Sequence, residues 1–588
     1  MVAAVPSMAA AEQPGSGCTS ITFQTFFAQQ SPEFRQLDET VRDFERQNAG
    51  IKVVLLPDGP AEQDHIIRHT LTRHSPDVLE VPLSELPELV AKSVVLPRTE
   101  ASRGDVGRMF STVVAASWQE DKMYAAPFRA RSIQLICNAS LLQEAGYNNP
   151  DGASLNSWDQ LLTTCAGLKR RFDADFFPLG MDGADGDSLC RLAEMVLKQY
   201  GCVPVERTWS GQIKEFVKKR LKGPVSGTDA EELGNALEMG AKVTLAGIQP
   251  DTKLGKEDIE LIRFIRDYPN GLLDGSASAA GVDQQLEKWK GSRRIELPAE
   301  FAALVMAIKE LAACKWDDSP FRSQEDKKLM DLVQQLQDPD LKLVVGRKVD
   351  GEAPGVAALG MLRQLSQYVP AESLRWSRDE LLRAFISGRI AMFFGDTGAV
   401  SQIRSRAPEL GIKAVECPAK KYFASSVDIF AGVIAMPAAS RGHREICDKL
   451  LAFLCSSTSQ KSVMEGGQSK VPVLVPVQRD LLDDPWYVEH PEYKAFLRGL
   501  GHPVSSVSNP AWPEVRRQVF LPEVRQLLAG QTSPASAASA IDLRGNRALS
   551  TYYGYIGHIS ATTKLGMVVA AIAVFFMVFF AVGHRAKQ

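Results

Sequence analysis

No C-x-x-C pair, no G-x-S-x-G elbow and no G-x-x-x-x-G-K-[ST] loop occurs in the 588 residues. The first absence leaves a zinc ribbon or a dithiol redox centre without its ligands. The second removes the strained turn that presents a hydrolase serine. The third removes the phosphate cradle of a P-loop ATPase. An excess of positive charge is also missing, since 67 Lys+Arg stand against 70 Asp+Glu for a net charge of −3. A nucleic-acid binder normally presents a basic surface, so that class is excluded. The nine cysteines are odd in number. Cys190 and Cys202 are close enough in sequence for a short disulfide loop, and buried thiols are the expectation for most of the others. What is present is a globular composition, 45% hydrophobic and 23% charged, over a length that suggests about three or four domains.

One stretch departs from that average. Residues 565–582 read LGMVVAAIAVFFMVFFAV, 18 residues without a charge, near the length that spans hydrocarbon. Tyr552, Tyr553 and Tyr555 precede it at the interface position, and His584, Arg585 and Lys587 follow. The basic tail predicts a cytoplasmic C-terminus, with the large body on the other side of the membrane. At the other end, MVAAVPSMAAAE has the small residues that precede a signal cleavage site but lacks a basic n-region. Residues 1–18 are therefore read as a signal-peptide remnant or a disordered lead. The alternative at this point is a tail-anchored cytoplasmic protein.

Between the ends, strands and helices alternate. SITFQTFF (20–27) reads as a strand and SPEFRQLDETVRDFERQN (31–48) as an amphipathic helix, with Phe34, Leu37, Val41 and Phe44 on one face. IKVVLL (51–56) follows as a second strand, giving a strand–helix–strand unit and an α/β fold with parallel pairing. PDVLEV (76–81), the strand-rich 123–138, IAMFFG (390–395), IKAVECP (412–418) and FAGVIAMP (430–437) continue the pattern. Helices are expected at 61–74, 84–92, 141–147, 157–171, 444–457 and 513–530. The stretch of about 175–350 is helical and charged, with few strand signals.

Several blocks in this order resemble the extracellular solute-binding proteins of ATP-driven (ABC) importers, of the sugar-binding, maltose-binding-protein-like type. FERQNAGIKVVLL is similar to the family's F-E-x-x-N-P-G-I-K-V. SPDVLEV with ELVAKSVVLP, DKMYAAPFRARSIQLICNASLLQEAGY, LLRAFISGRIAMFFGD and AGVIAMPAASRGHREICDKLLAFLCSSTSQ match further family blocks in sequence order. The match covers about 19–170 and 355–545.

The resemblance implies a two-lobed, periplasmic-binding-protein-like α/β fold of type II. Lobe 1 would be 19–128 plus 433–490, and lobe 2 would be 130–430 plus 495–545 with a helical insertion at about 175–350. A juxtamembrane linker (546–564), one transmembrane helix (565–583) and a cytoplasmic tail (584–588) complete the chain. Crossings between lobes would fall near Pro127-Phe128 and Ala431-Gly432. The implied function is capture of a small polar ligand, a sugar or polyol, in the inter-lobe cleft, without chemistry and without a cofactor or metal. The ligand would pass to an ABC permease or another membrane partner, and the C-terminal helix would hold the protein in the bilayer with its body extracytoplasmic.

By position, the implied cleft residues are Phe26, Phe27 and Gln29 after the first strand, Glu80 and Ser84 after PDV, and Phe128, Arg129 and Arg131 at the first crossing. Phe394, Asp396 and Thr397 follow the A-M strand, Asp428 and Phe430 lie at the second crossing, and Trp512 precedes a late helix. Aromatic faces suit sugar C–H surfaces, and fork-shaped polar groups suit hydroxyls. Two arginines at a hinge suit an anionic or polyhydroxyl ligand. Gly398 stands where many sugar binders carry Trp, which counts against a typical oligosaccharide.

Other groupings read as ordinary surface. His65 and His69 share a helix face but lack the Glu of H-E-x-x-H. Asp182, Asp185 and Asp187 lack the distal Glu of a calcium loop, and Asn138-Ala-Ser is a sequon by pattern alone. Two further classes stay open: a sensor or scaffold with a degenerate cleft, and a membrane-tethered carbohydrate-active enzyme.

Overall fold

The computed structural model describes residues 18–57, 59, 76–91, 93–99, 106–119, 122–147, 155–184, 186–202, 205–207, 209–222, 226–248, 256–274, 276–290, 299–312, 341–348, 352–420, 425–467, 470, 472–504 and 512–551. They form two compact units: residues up to 204 with 345–540, and 205–344 with 541 onward.

The first unit begins with the strand–helix–strand motif. Strand β1 (Thr19–Gln24) pairs in parallel with β2 (Ile51–Leu56), from Thr19 opposite Ile51 to Gln24 opposite Leu56. The intervening helix α1 (Pro32–Gln47) starts where Ser31 accepts a hydrogen bond from the Phe34 amide at 3.1 Å and Pro32 supplies the first-turn backbone angle. Its stripe of Phe34, Leu37, Val41 and Phe44 is buried, as a 3.6-residue period requires of a helix covering a sheet. The strand expected at 20–27 ends at Gln24, so Phe26 and Phe27 lie in a bend beyond its carboxyl end.

The first sheet adds β3 (Val78–Pro82), β4 (Val95–Leu96) and β5 (Ala125–Ser132). The second adds β6 (Gln134–Asn138), β7 (Phe177–Gly180), β8 (Ile390–Gly395) and β9 (Ile412–Val415). The chain then returns to the first sheet through β10 (Ser425–Ala435) and β11 (Pro503–Val504). The first sheet runs β11-β10-β3-β1-β2, with β4 and β5 also on β10, and the second runs β9-β6-β8-β7. The chain therefore changes sheets at Ile133, between β5 and β6, and again between β9 and β10. The β5–β10 ladder is broken by a bulge at Phe430/Ala431, opposite Arg129 and Pro127. A bulge adds twist and bend.

Several local readings are revised. The strand read at 430–437 starts earlier, because Ser425, Ser426 and Val427 are buried and pair with Pro503, Val504 and Ser132. The helix read at 444–457 is two, 444–454 and 457–465, with Ser456 capping the second. The helix read at 513–530 holds a π turn at 516–520, followed by Leu521 and Pro522; the missing N–H of Pro522 cannot serve an α-helical bond. Cys190 and Cys202 are both buried as thiols rather than bridged to each other. Strand β7 and the helix Gly186–Gln199, which lie inside the stretch read as an insertion, belong to the first unit.

The second unit is built of helices 209–222, 227–248, 256–274, 279–290 and 299–312. They share a core that includes Phe216, Leu237, Ile265, Trp289 and Ile308. The Trp289 indole donates to Asp258 at 2.8 Å. A two-stranded ribbon of 205–207 and 341–343 closes it, and Asn546 holds that ribbon by donating to and accepting from the Leu343 backbone. Residues 546–551, expected as the start of a linker, are helical. The expected transmembrane segment 565–583 and tail 584–588 lie outside the described residues, as do residues 1–17 of the 1–18 lead. Among the described residues no helix is long and apolar enough to cross a membrane.

Candidate ligand cleft

Strand alternation puts Arg129 and Arg131 on one face of β5 and Phe128 on the other. The antiparallel ladder then sets Arg129 opposite Phe430 and Arg131 opposite Asp428. The two arginines are used very differently. Arg129 is 1% exposed and meets Glu80 on β3 as a fork, Nε to Oε1 at 2.7 Å and Nη2 to Oε2 at 2.7 Å. Its Nη1 donates to the Glu33 carbonyl at 2.8 Å, and the Thr25 hydroxyl donates to Glu80 as well. Both carboxylate oxygens of Glu80 are hydrogen-bonded, as buried charges require. Phe128 is core, and its carbonyl accepts from Gln460 at 2.6 Å.

Arg131 remains partly open, with 29% of its side chain exposed. It is shared between Glu33 of α1 at 3.6 Å and Asp396 at 3.5 Å. Asp396 follows β8 of the second sheet and caps the helix Thr397–Arg406, accepting from the Ala399 amide at 3.0 Å. Arg378 also grips Asp396, through Nη1 at 3.2 Å and through Nη2. Burial pushes the Asp396 carboxyl up, but the guanidinium groups of Arg378 and Arg131 outweigh it and hold the group at about 2. The same pairing raises Arg378. A chain of alternating charge, Glu33–Arg131–Asp396–Arg378, thus links the two sheets.

Aromatic rings flank that chain. Phe26, Phe27 and Phe430 cluster, with centroids 4.4 Å (Phe26–Phe27), 5.3 Å (Phe26–Phe430) and 5.6 Å (Phe27–Phe430) apart. The Arg131 guanidinium lies 5.8 Å from the Phe430 centroid and 6.0 Å from that of Phe27, within cation–π range. On the other side, Phe394 sits 5.8 Å from Trp158. Asp428 pairs with Arg191.

Next to Asp396 a cavity opens, lined by Ile133, Asp182, Leu189, Arg378, Phe394 and Asp396 among others. It lies past the carboxyl ends of β7 and β8, which are parallel. Ligands of open α/β sheets favour that end of parallel strands. Thr25, Phe26 and Phe27 occupy the matching end of β1 in the first sheet. The cavity holds about 50 Å³, well short of the roughly 300 Å³ at which small-molecule pockets begin. Its lining comes from the second sheet and the helices beside it.

The remaining expected residues are placed elsewhere. Gln29 is exposed in the turn before α1, and Ser84 is half-buried in the 3₁₀ turn 83–85. Thr397 is buried and donates to the Val473 carbonyl at 2.8 Å. Trp512 is 3% exposed, packs on Phe520, and its indole donates to Glu194 at 3.2 Å. It is core rather than cleft in this conformation, because helix 186–199 covers it. A Cβ added at Gly398 would stand 3.3 Å from Asp396 Oδ1 and 3.4 Å from Arg378 Nη2. That position therefore looks onto the ion pair, and a Trp there would cover it.

Sequence reading missed Glu33, Asp182, Arg191 and Arg378. Arg378 had a signal: Ser377 and Glu380 form a capping box that starts helix 378–386 and fixes where Arg378 emerges. Asn138 of the sequon is 3% exposed and caps a helix through the Leu141 amide at 3.2 Å. His65 and His69 lie outside the described residues, as does Asp185. Among the described residues no group of three or more His, Cys, Asp or Glu is arranged to hold a metal ion.

Two sheets of one unit, crossed by strands 125–138 and 412–435, define a two-lobed, type II periplasmic-binding-protein-like α/β fold. Residues 39–238 match the family described as bacterial extracellular solute-binding protein. Among solved structures, the chain is similar to the GacH receptor of Streptomyces glaucescens, known unliganded and with acarbose (13% identity, TM-score 0.54, covering 90% of this chain and 98% of that one). It is also similar to the sugar-binding protein MalE of Xanthomonas citri (16%, 0.55, 92% and 99%). A third is UgpB of Mycobacterium tuberculosis in complex with glycerophosphocholine (12%, 0.55, 91% and 100%). No curated protein matches the chain.

Proposed function

We propose that the chain is the extracytoplasmic solute-binding component of an ABC-type importer, and that it captures a sugar or polyol between its lobes. The observation that carries this is the convergence of Phe26 and Phe27, beyond the carboxyl end of β1, and Asp396, beyond that of β8, with Phe430 at the β10 bulge, Arg131 of β5 and Arg378 at a helix start. Rings supply flat apolar faces, and fork-shaped charged groups supply donors and acceptors for hydroxyls. A ligand entering here would exchange the bridging ion pairs for its own hydrogen bonds, and hinge motion about β5 and β10 would close the lobes over it. The sequon-like motif has no part in this reading, and neither does catalysis; of the acidic turn only Asp182 enters it, as a wall of the cavity. The acarbose bound by the GacH receptor and the sugar-binding role of MalE support the ligand class, and the matched family supports the location.

The C-terminal apolar run 565–583 supports a single-pass anchor with the body outside the cytoplasm. Such a tether would keep the cleft near a permease at high local concentration.

The test is a thermal-shift panel of neutral sugars and polyols on the full chain, followed by calorimetric titration of any hit. A specific, saturable stabilisation is expected. A flat response to every solute would remove the transport reading and leave a scaffold with a degenerate cleft. For the anchor, deletion of 565–588 should move the protein from the membrane fraction to the soluble one.

A further inference from the structure

Two arginines at a hinge invite an anionic ligand, but the charge around them is already balanced. Arg129 is matched by Glu80 and is closed to ligand. Arg131 and Arg378, both partly exposed, face Glu33 and Asp396, and Asp182 lines the same cavity and acts on Arg378 electrostatically. Arg191 is matched by Asp428. Counting the groups at the cavity and its bridge, two cations stand against three carboxylates.

The other feature that would draw an anion is the amino-terminal end of helix 397–406, where unpaired amides carry partial positive charge. Asp396 already occupies it as the cap. An incoming carboxylate or phosphate would have to displace Asp396 from both guanidinium groups and from the Ala399 amide. It would also leave that carboxylate buried at 7% exposure beside a second negative charge, which is costly in a low-dielectric site. A neutral polyol meets no such obstacle, since its hydroxyls donate to the carboxylates and accept from the guanidinium edges.

Resting on the solute-binding reading, we infer that the cleft selects neutral polyhydroxylated solutes against anionic ones, and that Asp396 and Glu33 are the residues that set this preference. Arg131 and Arg378 are present as partners of those carboxylates and as donors to hydroxyls, not as an anion trap.

The experiment is calorimetric titration of the full chain with matched pairs: mannitol against mannitol 1-phosphate, and maltose against maltobionate. In the wild type the neutral member of a pair is expected to bind at least about tenfold more tightly, the scale of one like charge nearby. Asp396→Asn keeps an amide oxygen for the helix cap and should narrow that ratio by about tenfold. Glu33→Gln, on the partly exposed side, should narrow it in the same direction and guards against a folding defect in the first variant. Equal or tighter binding of the anion by the wild type would overturn the inference while leaving the solute-binding reading intact. So would ratios that neither variant moves. A panel in which neither member of any pair binds would overturn the solute-binding reading itself, and the inference with it.

Discussion

Glu80 and Arg129 meet edge to edge with both side chains essentially inaccessible, 0% and 1% exposed, and two hydrogen bonds of 2.7 Å. The pair joins β3 to β5 beneath the aromatic cluster. Removing one member strands the other's charge in the core, which typically costs about 3–5 kcal/mol. Glu80→Gln and Arg129→Met should each lower the denaturation midpoint sharply. The double variant Glu80→Leu/Arg129→Met should recover much of that loss, because no charge is left behind. Denaturant unfolding of the four proteins checks this, and a double variant as unstable as the sum of the singles would refute it.

Arg131 differs, since its ion pairs of 3.5 and 3.6 Å are partly solvated. Its loss should cost only about 1 kcal/mol or less in stability, yet it should loosen the link between the lobes. Spin labels on exposed Lys52, in the first sheet, and Ser405, in the helix after β8, would report their separation. Arg131→Ala without ligand should shift that distance distribution to longer values. An unchanged distribution would mean that the bridge does not hold the lobes.

The contrast between these two arginines marks the limit of what the sequence could say. Helix 32–47 was legible because its signals are local: the Ser31-Pro32 start and the stripe from Phe34 to Phe44. The same holds for β1, β2 and β8, whose β-branched and aromatic runs need no distant partner. The position of Asp396 followed from the block that ends β8. Its grip by Arg378, however, depends on how the helix that Ser377 and Glu380 start packs beside β8. Glu80 and Arg129 are 49 residues apart and Arg191 and Asp428 are 237 apart, so nothing in a local window says that either arginine is neutralised. Trp512 reads the same on paper whether it faces a cleft or a core, and only the helix carrying Glu194 decides. Cys190 and Cys202 have a loop-like spacing, but the fold buries each as a thiol without a bridge between them.

Gly183 tests how tightly the cavity wall is built. A Cβ there would meet the Leu374 backbone, 2.2 Å from its Cα, and main chain cannot swing aside as a side chain can. The Gly183 amide also donates to Ser373 at 3.1 Å, and its carbonyl accepts from Arg525 at 2.9 Å. Gly183→Ala should therefore displace the 181–184 segment that carries Asp182 into the cavity, at a stability cost of about 1–3 kcal/mol. Solute affinity should fall with it. The comparison is Gly107→Ala, where an added Cβ meets nothing within 4 Å and both quantities should stay near wild type.

The ion-pair bridge also carries a pH signature. Asp396 titrates at about 2 in the folded protein against an ordinary value of 3.8. A carboxylate depressed on folding stabilises the native state above its unfolded value and loses that contribution as pH falls through the folded one. The stabilisation should thus be complete above about pH 5 and decline between about pH 4 and pH 2. Its size is on the order of 2 kcal/mol, from about 1.4 kcal/mol per pKa unit. Asp77 works in the same direction: burial raises its carboxyl, but hydrogen bonds from Thr22, His443 and Arg441 bring it below the ordinary value. Asp396→Asn removes only the first of these contributions. The stability gap between wild type and Asp396→Asn, measured by denaturant midpoint, should therefore be constant from pH 7 to pH 5 and shrink steadily below pH 4. A gap that stays constant down to pH 3 would show that Arg378 and Arg131 do not hold this carboxylate as the geometry requires.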